Sequence, residues 1–221
     1  MARANRNQRS DGVATRARIL ESAGQLFERH GFAATESKAV AEHAGVDTAS
    51  INYHFGGRDG LYRAVLAEAH DRFIGLEDLA RIARDDLAPE ERLEALIAML
   101  VERISSQAGW GWVLLSREVL TPSGHLAAAL KQESLPKVDI LLQIISEITG
   151  IPGSDPVIFC CLVSVIAPCA MLLLTRNEPL PLNDPLNRMP LEQLTGHFQR
   201  FALAGLNAAA LDYAQRRGER R

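Results

Sequence analysis

Between residues 44 and 58 the chain reads Ala44-Gly45-Val46-Asp47-Thr48-Ala49-Ser50-Ile51-Asn52-Tyr53-His54-Phe55-Gly56-Gly57-Arg58, a run rich in hydroxyl, amide, imidazole and guanidinium groups. Such groups can read base edges and hold phosphates. An amide like Asn52 donates and accepts at once, which matches the major-groove edge of adenine, while Tyr53, His54 and Arg58 carry donors for phosphate oxygens. Elsewhere there is no G-x-S-x-G elbow, no P-loop, no G-x-G-x-x-G and no pair of carboxylates isolated in an apolar context. Neither catalysis nor a cofactor is expected. His30, His43, His54, His70 and His197 form no H-x-x-x-H, H-E-x-x-H is absent, and no metal site is expected.

To present that run on one face, short helices must hold it. No proline precedes Pro89, and apolar residues in this region recur at helical spacing. Ala17, Leu20, Ala23, Leu26 and Phe27 mark one stripe from Val13 to His30, and Gly31 supplies a stop. Thr35 or Glu36 opens a second helix through Val40, Ala41 and Ala44, ended by Gly45; Asp47 caps a third from Thr48 to Phe55, ended by Gly56-Gly57. A longer fourth helix runs from Arg58 towards Ala80. Gly45 permits the left-handed backbone of a tight turn, while Val46 and Ile51 pin the third helix inward and turn Thr48, Ala49, Asn52 and Tyr53 outward. Small side chains at Thr48, Ala49 and Ser50 allow close approach to a groove floor. The helix N-terminus adds free N–H donors and a positive dipole suited to phosphate.

The charge is distributed to match. The chain has 221 residues, 24 Lys+Arg against 27 Asp+Glu, a formal net charge of -3, 47% hydrophobic and 23% charged residues, which excludes a disordered, collagenous or disulfide-framework protein. Residues 1–65 nevertheless carry nine basic and seven acidic side chains, net +2, leaving -5 for the rest. Five arginines, among them Arg3, Arg6 and Arg9, stand against one acid in the first 18 residues, so residues 1–12 read as a basic flexible arm available to a polyanion, with a solubilising tail as the alternative. The N-terminus lacks the apolar core of a secretory signal, and three cysteines offer no disulfide framework and no C-x-x-C. A cytoplasmic location is expected.

Beyond Pro89 the pattern stays helical near 90–107, 112–121, 124–149, 155–176 and 190–215, with Pro136 expected to kink or divide the third stretch. The segment NEPLPLNDPLNRMP from Asn177 to Pro190 reads as a long extended loop. The fold class is all-α, with a small basic N-terminal unit and a larger acidic C-terminal one.

Taken together, Thr15-Arg16, Ile19-Leu20, Ala23, Leu26-Phe27, Gly31-Phe32, Thr35, Val40-Ala41, Ala44-Gly45-Val46, Ser50-Ile51, Tyr53-His54-Phe55, Arg58-Asp59 and Leu61 resemble the TetR family of transcriptional regulators in order and spacing. The stretch from Ile51 to Tyr62, with Arg117-Glu118 later on, is similar to the branch with a CerR/CecR-type C-terminal domain. The resemblance implies a helix-turn-helix DNA-binding domain over 13–65 and an effector-binding and dimerisation domain over 66–221. It implies a repressor that a small-molecule effector releases from double-stranded operator DNA. By position, Thr35, Tyr53, His54 and Arg58 look like the family's phosphate contacts, joined here by Lys38, and Thr48, Ala49 and Ser50 like its groove-facing residues. Ala49 stands where many members have Gly, Asn52 where an aromatic is frequent, and Glu36 where a hydroxyl is common.

Three further features invite sharper readings. Residues 156–175, PVIFCCLVSVIAPCAMLLLT, are uncharged over 20 positions, the length of a membrane span, but Pro156, Pro168 and Ser164 interrupt the run and no aromatic belt or basic flank frames it. A helix apolar all round also results when one face meets its own core and another a partner subunit. The expectation is a homodimer through 155–176 and 190–215, the latter with Leu194, Phe198, Phe201, Leu206 and Leu211, and no membrane. Cys160, Cys161 and Cys169 suggest a redox-responsive regulator as an alternative, yet no basic residue near in sequence lowers their pKa. Trp110, Trp112, Arg117, Glu118 and His125 are candidate effector-binding residues, with core packing and a solvated ion pair as the bland alternatives. A helical adaptor without DNA is the remaining class.

Overall fold

The computed structural model describes residues 2–106, 109–175 and 183–219, and among them there are helices and no strand. In chain order they are α1 (Ala2–Ala34), α2 (Ser37–Ala44), α3 (Thr48–Phe55), α4 (Arg58–Phe73), α5 (Leu76–Arg84), α6 (Pro89–Ser106), α7 (Gly111–Leu120), α8 (His125–Glu133), α9 (Leu135–Thr149), α10 (Val157–Thr175), α11 (Asn183–Arg188) and α12 (Leu191–Glu219). They fall into two compact units, residues 1–72 with 109–133, and residues 73–108 with 134–221. The all-α expectation holds.

Several boundaries differ from those read in the sequence. The expected fourth helix ends at Phe73 instead of reaching Ala80, because Gly75 takes an extended conformation (φ -75, ψ 140) and starts α5. Helical backbone begins at Ala2, so residues 2–12, expected as a flexible arm, continue α1; nothing before Gly12 breaks a helix. The side chains of Arg3, Arg6 and Arg9 lie outside the described residues. Within the expected loop 177–190, residues 183–188 form α11, whose first turn takes Pro185 without losing a helical hydrogen bond. Residues 177–182 of that loop lie outside the described set. Pro136 does divide the third stretch, sitting in the first turn of α9.

The first unit packs α2 and α7 against α1, and α3 against α2. Its core is Ile19, Ala23 and Phe27 of α1, Val40 and Ala41 of α2, Ile51 of α3, Leu61, Tyr62, Val65 and Leu66 of α4, and Leu114 and Leu115 of α7, all buried. Each large apolar side chain there contributes about 1.5–3 kcal/mol relative to exposure. By packing, α7 and α8 join the helix-turn-helix in the first compact unit. Trp110 explains part of this, since its buried indole fills the space over Gly24, where a Cβ would overlap the ring. The Arg72 guanidinium lies 4.5 Å from the same ring.

The second unit packs α6, α9, α10 and α12 on one another, with α5 against α6 and α9. Leu93, Leu96, Ile97, Leu100, Val101 and Ile104 form the buried stripe of α6, facing Leu141, Ile144 and Ile145 of α9, Ile158 and Val165 of α10 and Leu206 of α12 in one aliphatic core. Arg103 ties α5 to this core, donating to the Asp78 carboxylate at 2.5 Å and to the Phe73 carbonyl at 3.2 Å, and Arg92 of α6 pairs with Glu147 of α9 at 2.8 Å. By contrast, Phe159, Val163 and Met171 of α10 and Phe201 and Leu211 of α12 are exposed. Helix α10 runs on through Pro168, and among the described residues no helix is long and apolar enough to cross a membrane.

Candidate nucleic-acid interface

The turn between α2 and α3 forms for local reasons. Gly45 adopts φ 64, ψ 41, a left-handed conformation that costs other residues energy, and its N–H caps α2 on the carbonyls of Ala41 and Glu42. Asp47 then caps α3, its carboxylate accepting from the Ser50 N–H at 2.8 Å and the Ser50 hydroxyl at 2.6 Å. These two hydrogen bonds hold the Asp47 carboxyl below its ordinary range. Ile51 is fully buried and fixes the rotation of α3.

That rotation exposes Thr48, Ala49, Asn52 and Tyr53 together, and Tyr53 is 86% exposed. His54 is half-buried with its ring 5.0 Å from that of Tyr53. The outward set is the one expected from the sequence. Ser50 is half-buried and its hydroxyl is committed to Asp47, so it shapes the α3 N-terminus more than it faces outward. Lys38 on α2 is exposed and meets Glu42 only at 4.0 Å, an exposed pair that a phosphate readily displaces. Glu36 is exposed as well.

Two residues expected at phosphates also make hydrogen bonds within the first unit. Thr35 is buried, and its hydroxyl donates to the Gly31 carbonyl at 2.8 Å. Arg58 donates to the Phe32 carbonyl and, at 3.1 Å, to that of Ala33, with its guanidinium 4.3 Å from the Phe32 ring. Both donate to carbonyls at or just after the break at Gly31 (φ 76, ψ 165), where the Phe32 carbonyl also accepts the Thr35 N–H at 3.3 Å. A residue type shows that a donor exists, not where it is spent. Arg16, absent from the residues expected at the interface, is exposed on α1, and its guanidinium lies 5.1 Å from the Phe55 ring at the C-terminal end of α3.

The candidate effector residues come together, but around the first unit's own joints. Trp110 and Trp112 are buried, the former against Gly24. Arg117 donates to the carbonyls of Phe27 and Glu28 at 3.2 and 3.3 Å. Glu118, buried, accepts from the Tyr62 hydroxyl at 2.9 Å and from the hydroxyl and N–H of Ser123, and burial together with this carboxylate pushes the Tyr62 pKa upward. His125 lies 5.0 Å from the Phe32 ring, 5.4 Å from that of Tyr62 and 3.9 Å from the Asp59 carboxylate. These five sit among the first unit's own side chains and line neither of the apolar cavities described next. One cavity, of about 330 Å³, opens between α10 and α12 beside Cys160, Cys161, Ser164, Phe201 and Gly205. Another, of about 400 Å³, is bounded by Met171, Leu172, Met189, Leu194, His197 and Phe198.

Known proteins match this architecture at both ends. Residues 19–65 match the family described as bacterial regulatory proteins, tetR family, and residues 89–207 match the C-terminal domain of the HTH-type transcriptional dual regulator CecR. The probable HTH-type transcriptional regulator YttP of Bacillus subtilis is 30% identical over 95 residues, 43% of this chain and 44% of that one. The matched stretch thus spans less than half of that relative. Among solved structures, the regulator FadR from Bacillus subtilis in complex with stearoyl-CoA aligns with TM-score 0.63 at 16% identity, over 86% of this chain and 98% of that one. AibR, in complex with isovaleryl coenzyme A and operator DNA, aligns with TM-score 0.58 at 20% identity, over 84% and 96%. At such identities the likeness is one of fold. The second family model alone spans more than half of the sequence, and with the first it accounts for the reading helix and the helical unit that follows: the chain belongs to the TetR family of transcriptional regulators, with a CecR-type C-terminal domain.

Proposed function

We propose that this chain binds a pseudo-palindromic DNA operator as a homodimer and represses transcription until a small-molecule effector releases it. The observation that carries the reading is the exposed face of α3, Thr48, Ala49, Asn52 and Tyr53, held outward by a buried Ile51 and an Asp47 cap. An eight-residue helix covers few base pairs, so specificity calls for two copies in successive major grooves. The exposed apolar side chains of α10 and α12 supply a surface for that pairing. Lys38, Tyr53, His54 and Arg16 are assigned to phosphates, and Asn52 with Thr48 to base edges. Arg3, Arg6 and Arg9 add sequence-independent attraction: deleting residues 1–10 is expected to flatten the slope of log affinity against log salt by about two to three units.

The effector is assigned to the second unit, whose described cavities are lined mainly by apolar side chains, and the acyl thioesters held by FadR and AibR are the first class to try. A redox trigger has less support. Cys161 and Cys169 are buried, burial pushes both thiols upward, Cys169 to about 11, and no charge partner opposes it. The test is footprinting of the full-length protein on DNA upstream of its own gene, with and without acyl-CoA. Protection of a two-fold site that acyl-CoA abolishes supports the proposal; unprotected DNA throughout a saturating titration overturns it.

A further inference from the structure

Helix α1 does not pass smoothly into the turn before α2. At Gly31 the backbone leaves the helix (φ 76, ψ 165), and side-chain donors converge on carbonyls on both sides of the break. Two guanidinium groups provide them. Before the break, Arg117 of α7 donates to Phe27 and Glu28; after it, Arg58 of α4 donates to Phe32 and Ala33. Thr35 closes the gap through the Gly31 carbonyl itself.

The aromatic rings inside this joint tie the two arginines to each other. Phe32 stacks on Tyr62 with centroids 4.4 Å apart, Phe27 meets Tyr62 edge-on at 4.9 Å, and the Tyr62 hydroxyl is held by Glu118, the neighbour of Arg117 in sequence. Arg117 and Glu118 therefore act as one grip, the first on the end of α1 and the second on α4. The chain enters the turn that leads to α2 and α3 through this joint, and α2 also packs on α1 directly. The grip comes from the chain segment matched by the CecR-type model, not from the segment matched by the tetR model.

We infer that Arg117 is a positioning residue for DNA reading, a clamp on the Gly31 joint that fixes the angle at which the reading helix is presented. The inference rests on the DNA-reading proposal above. It assigns Arg117 neither to phosphate nor to effector: both of its described hydrogen bonds go to main-chain carbonyls of α1. Arginine suits the position because its planar fork reaches two carbonyls at once, which a lysine ammonium does not reproduce.

The test uses the full chain and a DNA fragment enriched by the wild-type protein from a random-sequence library. Affinity is measured across a salt series for wild type, Arg117→Ala and Arg117→Lys, alongside amide hydrogen exchange. Arg117→Ala is expected to bind about tenfold more weakly, the size of an ordinary coupling between sites. Its salt slope should be unchanged, since no phosphate contact is lost. Amides from Phe32 to Asn52 should exchange faster while those of α9 do not change. Arg117→Lys, which keeps the charge and one carbonyl bond, should fall between the two, and it carries the test should Arg117→Ala fail to fold. Wild-type affinity in both variants, a slope reduced by one unit, or unchanged exchange around Gly31 overturns the inference alone. Failure of the wild-type protein to enrich any fragment overturns the DNA-reading proposal and this role with it.

Discussion

The two units use their side chains in opposite ways. In the first, the polar groups that tie elements together aim at backbone ends: Asp47 at the start of α3, and Thr35, Arg58 and Arg117 around the break in α1. In the second, a continuous aliphatic core does most of the work, and apolar side chains also remain on the outside of α10 and α12. Polar ties to helix ends fix direction, because a hydrogen bond fails when its angle changes. Aliphatic packing fixes volume and tolerates small sliding. A unit that must present one helix at one angle is built the first way, and a unit that must cover a broad apolar face is built the second.

The strongest way to break this comparison is to place charge on the outer face of α10 and α12. Val163→Glu with Phe201→Glu alters side chains that are 64% and 67% exposed in the single chain, so a monomer should fold normally. Should that face be covered by a second copy, each buried, unpaired carboxylate costs about 3–5 kcal/mol. The expected outcome is a dimer dissociation constant raised at least about a hundredfold by sedimentation, with helicity retained and operator binding lost. Tyr53→Glu, still more exposed but on the first unit, should leave the sedimentation unchanged. A double variant that sediments as wild type removes the proposed dimer face.

A smaller effect belongs to the glycines of α1. A Cβ at Gly24 overlaps the Trp110 indole, whereas one at Gly12 meets nothing within 4 Å. Gly24→Ala should therefore destabilise the first unit by about 1–3 kcal/mol through overpacking, with a red shift of tryptophan emission. Gly12→Ala removes only backbone freedom from a helix and should stabilise by about 0.5–1 kcal/mol. Denaturant titration of the pair separates them by sign, and equal stability would show that Trp110 is not the ring that locks α7 onto α1.

Much of the reading unit was legible because local chemistry determines it. Gly31, Gly45, Asp47 and Gly56 each act on their own few residues, and Ile51 announces the inward face by helical spacing. The roles of Thr35, Arg58 and Arg117 were not legible, since each donates to a main-chain carbonyl around the bend at Gly31 that residue type alone does not indicate. For Arg117 that carbonyl is 90 residues away in sequence. Periodicity likewise showed α7 and α8 as helices but carried no sign of which unit they join, because Leu114 and Trp112 look alike whichever core receives them. The effector positions carry the same ambiguity: charge within an apolar helix signals a polar partner without saying whether it is ligand or protein.

The reading face allows a finer separation. Asn52→Ala should change the base preferred at one position of the selected site, worth about 1–3 kcal/mol between best and next-best base, while affinity for random DNA stays constant. His54→Ala and Lys38→Ala should do the reverse, weakening all sequences alike, and the lysine change should lower the salt slope by about one unit. Parallel selection experiments read both. An unaltered consensus with Asn52→Ala would move base reading to Thr48 or Ala49.

The smallest effect compares one aspartate from each unit. Asp78 and Asp47 both titrate below their ordinary value of 3.8, Asp78 chiefly through the hydrogen bond from Arg103 and Asp47 through those from Ser50. A carboxyl held down in the folded state binds fewer protons there than in the unfolded chain, so its contribution is complete above the unfolded pKa and is lost as pH falls through the lowered folded value. For Asp78→Asn the expected gap in melting temperature from wild type is therefore constant above about pH 5 and closes as pH falls below about 4, and Asp47→Ala should show the same acid limb. Salt distinguishes them. The partner of Asp78 is a guanidinium, and the pair is roughly 30% exposed, so raising ionic strength from about 0.05 to 1 M should screen part of its attraction and narrow its gap. The donors to Asp47 are a neutral hydroxyl and an amide, and its gap should hold nearly constant over the same range. Equal salt sensitivity at the two sites would mean that long-range charge, not the hydrogen bonds at the α3 cap, sets Asp47, and would remove the distinction between a neutral tie at a helix end and an ion pair.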